Sequence, residues 1–133
     1  MNTTRANATT AVQTYQPVAY DTPAEGPVLN RLHVEETFTG DIEASNVVEF
    51  LLSTTADGTA SFVGFGRVDG ELGGKRGTFL LQEAGTINGN TVSGKWFVVP
   101  GSGTGKLAGL RGTGGFLAKL GQGATTHLDY SFE

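Results

Sequence analysis

Val98-Val99-Pro100-Gly101-Ser102-Gly103-Thr104-Gly105-Lys106-Leu107-Ala108-Gly109-Leu110-Arg111-Gly112-Thr113-Gly114-Gly115 joins the only Trp-bearing stretch to the last third of the chain. Its reading decides between an α/β nucleotide-binding fold and an all-β fold. A phosphate loop needs a glycine, four residues, then Gly-Lys-Ser/Thr, so that amides wrap the phosphates and a hydroxyl holds magnesium. Gly105-Lys106 supplies the middle of that pattern. Pro100 stands at the leading glycine and has no N–H, and Leu107 stands where the metal-holding hydroxyl belongs. The string Gly103 to Ala108 also fits G-x-G-x-x-A, but that fingerprint must open a helix. Gly109, Gly112, Gly114 and Gly115 follow, and each glycine costs a helix interior about 1 kcal/mol. The string is therefore a tight corner. A strand reaches Pro100, the glycines turn, and Leu107-Ala108-Gly109-Leu110 carries the chain back.

Outward from this corner the chain reads as short strands. With 133 residues it forms one domain, large enough to bury a core without staples. It has no cysteine, which excludes disulfides and thiolate metal sites. A net charge of -4 argues against general nucleic-acid binding and against a polybasic membrane patch. No apolar run reaches transmembrane length and no apolar leader follows Met1, so no membrane is expected and the cytoplasm is the default location. The 21 glycines lie between apolar runs, as tight turns between strands require.

Residues 1–30 hold three of the four prolines and read as an N-terminal segment, partly flexible, with an edge strand through Val12, Tyr15, Val18 and Tyr20. Residues 31–133 are expected to form the folded domain. Leu32, Val34, Glu36 and Phe38 alternate with His33, Glu35, Thr37 and Thr39. Val47 to Leu52 is a strand, and Thr55-Ala56-Asp57-Gly58 is a hairpin signal. Ala60 to Val68, Thr78 to Ala84, Thr91 to Val99, Gly115 to Ala118 and Thr125 to Phe132 continue the series, with a turn region from Asp69 to Gly77. About eight or nine short strands without an amphipathic helix build a sandwich or an up-and-down barrel.

Phe38-Thr39-Gly40-Asp41-Ile42-Glu43, Gly77-Thr78-Phe79-Leu80-Leu81-Gln82 and the Val99 to Leu110 string together resemble a bacterial family of unknown function, DUF3224, whose fold is similar to the allene oxide cyclase barrel. The resemblance covers Arg31 to Phe132 and implies a small antiparallel β-barrel of about eight strands, hollow enough for one ligand or filled by side chains. The family pattern places an acid at the position of Gly66 and a His at that of Glu83, so an activity built on that pair does not carry over. Glu83 is free to take a new role in the space Gly66 vacates.

Barrel parity then nominates a site. Phe62, Gly64 and Gly66 face inward, as do Phe79, Leu81 and Glu83, with Leu32, Val34, Glu36 and Phe38 as a third row and Leu128, Tyr130 and Phe132 as a fourth. Glu83 and Glu36 are the candidate catalytic residues, because burial and a second carboxyl both raise a carboxyl's pKa toward neutrality. Phe38, Phe62, Gly64, Gly66, Phe79, Leu81, Trp96 and Tyr130 are the candidate ligand contacts. The plainer alternatives are carboxyls that reach water or a loop amide and a Trp96 that is simply core. A one-residue slip would put Glu35 in the place of Glu36. His33 and His127 lack a metal-ligand spacing, Ser102 lacks the strand-elbow-helix context of a nucleophile, and Lys75-Arg76 reads as a solvated tip. No cofactor and no metal are expected. The sequence leaves two functions open: a lumen that binds a small apolar molecule and isomerises or cyclises it, or a non-catalytic homo-oligomer assembled through outward Val63, Phe65 and Leu80.

Overall fold

Short strands of largely alternating apolar and polar residues, joined by tight turns, can bury their apolar face by curling a meander onto itself. The computed structural model, which describes residues 2–120 and 122–133, shows that outcome. Its strands are β1 (Thr4–Asp21), β2 (Val28–Gly40), β3 (Ile42–Thr54), β4 (Ala60–Leu72), β5 (Lys75–Asn88), β6 (Thr91–Val98), β7 (Leu110–Lys119) and β8 (Ala124–Phe132). Each pairs antiparallel with the next, and β1 pairs with β8 to close the barrel. The glycine-rich corner contains a single 3-10 turn, Gly105–Leu107. No helix among the described residues is long and apolar enough to cross a membrane.

The barrel does not begin at residue 31, as the sequence leads one to expect. β1 is paired with β8 from Thr4 to Thr9 and with β2 from Ala8 to Asp21. Its buried side chains are only Ala6, Ala8 and Thr10, small groups that leave a weak hydrophobic signal. What makes it a strand is tertiary: β2 and β8 each present an edge of unpaired amides, and β1 satisfies both. Arg5 ties the seam with a bidentate bond to Asp129, Nε to Oδ1 at 2.7 Å and the second nitrogen to Oδ2 at 2.8 Å. Beyond Thr9 the strand has β2 alone beside it, so the Val12 to Tyr20 portion is a sheet edge.

The expected turn region from Asp69 to Gly77 shrinks to Gly73-Gly74, with φ of 57° and 82° that only glycine adopts cheaply. The rest of that stretch extends β4 and β5. The glycine-rich corner closes one end of the barrel. β6 stops at Val98, and the following residues take over its bonding to β5: Thr104 N–H donates to the Thr78 carbonyl at 2.9 Å, and the Ser102 and Thr104 hydroxyls accept from the Leu80 and Thr78 amides at 3.1 and 3.0 Å. The 3-10 turn then drops Leu107, wholly buried, into the core. The string that imitates a phosphate loop is thus the stopper of the barrel.

Inside, the side chains divide into two halves. One is solidly packed around Phe38, Ile42, Val68, Leu72, Phe79, Leu81, Val98, Leu107, Leu110 and Leu128. The other is lined by Leu32, Val34, Val48, Leu52 and Phe62, with Phe50, Ile87, Val92 and Phe116 against them. Trp96 and Phe116 lie where the halves meet, their ring centroids 5.1 Å apart.

Candidate functional site

The second half is hollow. A cavity of about 440 Å³ opens there, walled by Leu32, Val34, Phe50, Leu52, Phe62, Ile87, Val92, Trp96 and Phe116, with Val12, Tyr15, Lys119, Leu120 and Gln122 also on its lining. Glu36 and Glu83 are its two carboxyls. The parity question is resolved by the register. Glu36 lies opposite Asn46 and faces inward, while Glu35 faces outward onto His33, whose Nε2 is 2.7 Å from its Oε2. His33 also meets Glu49, and both carboxylates raise its pKa on the outer surface, far from the lumen chemistry.

Glu83 stands between Gly64 on β4 and Trp96 on β6. It is 4% exposed, and no hydrogen bond reaches its Oε2. Burial, and secondarily the charge of Glu36, push its pKa up to about 8. Glu36 is half-buried. Its pKa is raised by burial and partly restored by the Asn46 amide, whose Nδ2 donates to Oε2 at 2.8 Å. Asn46 is fully buried and its own Oδ1 has no partner. The two orphaned oxygens crowd one spot. A Cβ on Gly66 would lie 2.5 Å from Asn46 Oδ1 and 3.2 Å from Glu83 Oε2. Gly66 thus lets Asn46 and Glu83 converge from the strands on either side. A buried acceptor needs a donor. Glu83, which burial keeps protonated near neutral pH, approaches the same point as the Asn46 oxygen. Two carboxyls and one amide thus share this part of the wall: burial raises the pKa of both carboxyls, and the Asn46 amide bonds Glu36.

Of the contacts nominated from sequence, Phe62 and Trp96 lie on the cavity wall with both carboxyls. Phe38, Phe79 and Leu81 belong to the packed half instead, and Tyr130 points its hydroxyl toward Gly73 and packs its ring on Phe132. Parity alone spreads the site along the whole barrel, whereas packing density confines it to one end. The glycines do not open volume for a ligand. Gly64 is covered by Phe50, whose Cδ1 would lie 2.8 Å from an added Cβ, and Gly66 lies beneath Asn46 and Glu83. Glycine here seats a neighbour's side chain against the wall. Asn46 is the site residue the sequence reading misses. Extending the alternation of Val48 and Phe50 backward along β3 would have placed it inward.

The fold and these features define a class: a closed eight-stranded antiparallel barrel with an apolar lumen at one end and a coupled carboxyl pair in its wall. The chain belongs to the DUF3224 family, described as protein of unknown function, whose family model matches residues 6–130. Its structure is similar to the crystal structure of a protein with unknown function from the DUF3224 family of Shewanella oneidensis MR-1, with 34% identity, a TM-score of 0.85, and coverage of 99% of this chain and 98% of that one. No curated protein matches it.

Proposed function

We propose that the barrel binds a small, predominantly apolar molecule in its open half and that the Glu36–Glu83 pair moves a proton on it. This is the chemistry of a cofactor-independent isomerase or cyclase. The observation that carries the reading is Glu83, nearly sealed in apolar surroundings, on the wall of a 440 Å³ cavity and beside a second carboxyl. Volumes of that order suit small-molecule sites. Glu36, supported by the Asn46 amide, is the better base. Glu83, holding its proton near pH 7, is the better acid. The aromatic and aliphatic walls exclude water, which strengthens both roles.

Titration with N-phenyl-1-naphthylamine, a neutral apolar fluorophore, tests occupancy. Binding is expected to raise its emission and to quench Trp96, and Ala118→Phe, which adds a ring at a position on the lumen lining, is expected to weaken both changes. An unchanged signal in that variant would place the dye elsewhere and remove the support for a lumen site. For a substrate that the protein turns over, Glu83→Gln and Glu36→Gln are each expected to lower kcat by about 100-fold or more.

A second reading, assembly without catalysis, has its own observation. Val63 and Phe65 are each 54% exposed, and Val47 and Leu51 extend the same outer face across β3. Leu80, nominated with them, is half-buried under the glycine-rich stopper. Sedimentation velocity at micromolar concentration is expected to show a symmetric oligomer on this reading, and a strict monomer would end it.

A further inference from the structure

We propose that the ligand of the lumen is an organic amine, bound through its ammonium group between Glu36 and Glu83 with its apolar body against the aromatic wall. The inference rests on the lumen being the ligand site and names the class of ligand.

Three of the inner donors are committed. Trp96 Nε1 donates to the His127 carbonyl at 3.0 Å, Thr126 Oγ1 to the Ala8 carbonyl at 3.0 Å, and Asn46 Nδ2 to Glu36. The Thr10 hydroxyl oxygen accepts from the Ala124 amide at 2.9 Å. Glu83 and Glu36 retain acceptor oxygens toward the lumen, and neither carboxyl has an ion-pair partner among the described residues. The one cation on the lining is Lys119, which is exposed, with its Nζ 3.5 Å from Thr91 Oγ1. Tyr15 and Gln122 are exposed as well. The deep lumen therefore presents two carboxyls with no cation of the described residues paired to either.

Such a site discriminates by head group. A carboxylate or phosphate would meet like charge. A neutral carbonyl would take a hydrogen bond from the Glu83 proton or the Thr10 hydroxyl but would gain no charge assistance. An alcohol donates one hydrogen bond and leaves the remaining carboxyl acceptors unmet. An ammonium supplies several donors and a positive charge, and its bonds to carboxyls are charge-assisted. The surrounding rings favour the same choice. Phe50, Phe62, Phe116 and Trp96 form a continuous series with centroid separations of 5.2, 6.2 and 5.1 Å, and aromatic faces attract organic cations.

Three ligands with one apolar body test the proposal: 2-naphthylmethylamine, 2-naphthylmethanol and 2-naphthoic acid, titrated into the intact protein at pH 7 by calorimetry. The amine is expected to bind at least tenfold more tightly than the alcohol, and the acid to bind most weakly. In Glu36→Gln and Glu83→Gln the preference for amine over alcohol is expected to shrink to within about threefold. An alcohol that binds as well as the amine, or an acid that binds better than either, would overturn the amine assignment and leave the lumen reading standing. A preference that survives in both variants would also overturn it, because the carboxyls would not be its source. If none of the three binds and the fluorophore does not bind either, the lumen reading falls and the amine assignment with it.

Discussion

Glu83→Gln will make the protein more stable than the wild type at pH 8 and nearly equal to it at pH 5. Folded Glu83 keeps its proton up to about pH 8, whereas the unfolded chain releases it near 4.5. Between these values folding takes up a proton, so stability is greatest at the acid end and falls as pH rises, levelling off above about 8. At about 1.4 kcal/mol per pH unit, the window amounts to on the order of 5 kcal/mol. Glutamine keeps the shape, removes the ionisation and offers its amide to Asn46 Oδ1. Other groups separate cleanly in pH. Asp57 and Asp129, held low by Thr55 and Arg5, contribute above their usual range and lose that contribution only at lower pH. His33, held high by Glu35 and Glu49, loses its contribution as pH rises through a value above 6.5. Urea denaturation followed through Trp96 fluorescence between pH 5 and 6.5 therefore isolates the lumen pair. The variant is expected to retain only the weaker slope due to Glu36, which has the same sign. Parallel curves for the two proteins would mean that Glu83 is ionised and solvated at neutral pH, and its role as an acid would be lost.

Trp96→Ala is expected to cost about 3–5 kcal/mol, the range for deleting a large buried aromatic side chain. The ring is 4% exposed, packs edge-on to Phe38 at 6.0 Å and against Phe116 at 5.1 Å, and bonds the His127 carbonyl. It is the partition between the packed half and the hollow half, so its loss also enlarges the lumen. Neighbouring side chains cannot close the gap readily, because Gly114 across the β6–β7 ladder contributes none. Trp96→Phe retains most of the packing and gives up the hydrogen bond, so its cost is expected near 1 kcal/mol. Circular dichroism is the appropriate readout, since the chain has one tryptophan. Equal costs for the two variants would place the value of Trp96 in its indole N–H rather than its bulk, and the partition argument would fail.

The site was partly legible because barrel walls obey a period of two. Glu83 stands at inward parity within an apolar row, readable without coordinates, whereas the choice of Glu36 over Glu35 needed the β2–β3 register. Asn46 was harder to see, since its importance comes from Gly66 on the next strand and Glu83 on the one beyond. Gly64 misled for a related reason. An absent side chain reads as empty space in one dimension, but here Phe50 from the adjacent strand occupies it. β1 was undervalued because alanine and threonine carry little hydrophobic signal, while its stability comes from two neighbouring edges.

The sequence by itself determined the class of fold: alternation set the strands, Asp57-Gly58 marked a hairpin, and the failed phosphate-loop match removed the α/β alternative. It also determined that two carboxyls would face the interior, because a pleated strand sends every second side chain to the same side. Only the tertiary structure decided that the interior is filled at one end and open at the other. Filling depends on which side chains from different strands reach the same volume, and pairing register, barrel shear and the Leu107 stopper set that jointly. The protonation of Glu83 belongs to the same level. A carboxyl's pKa follows from the water it loses and the charges it meets, and both are properties of the closed barrel rather than of the strand that carries it.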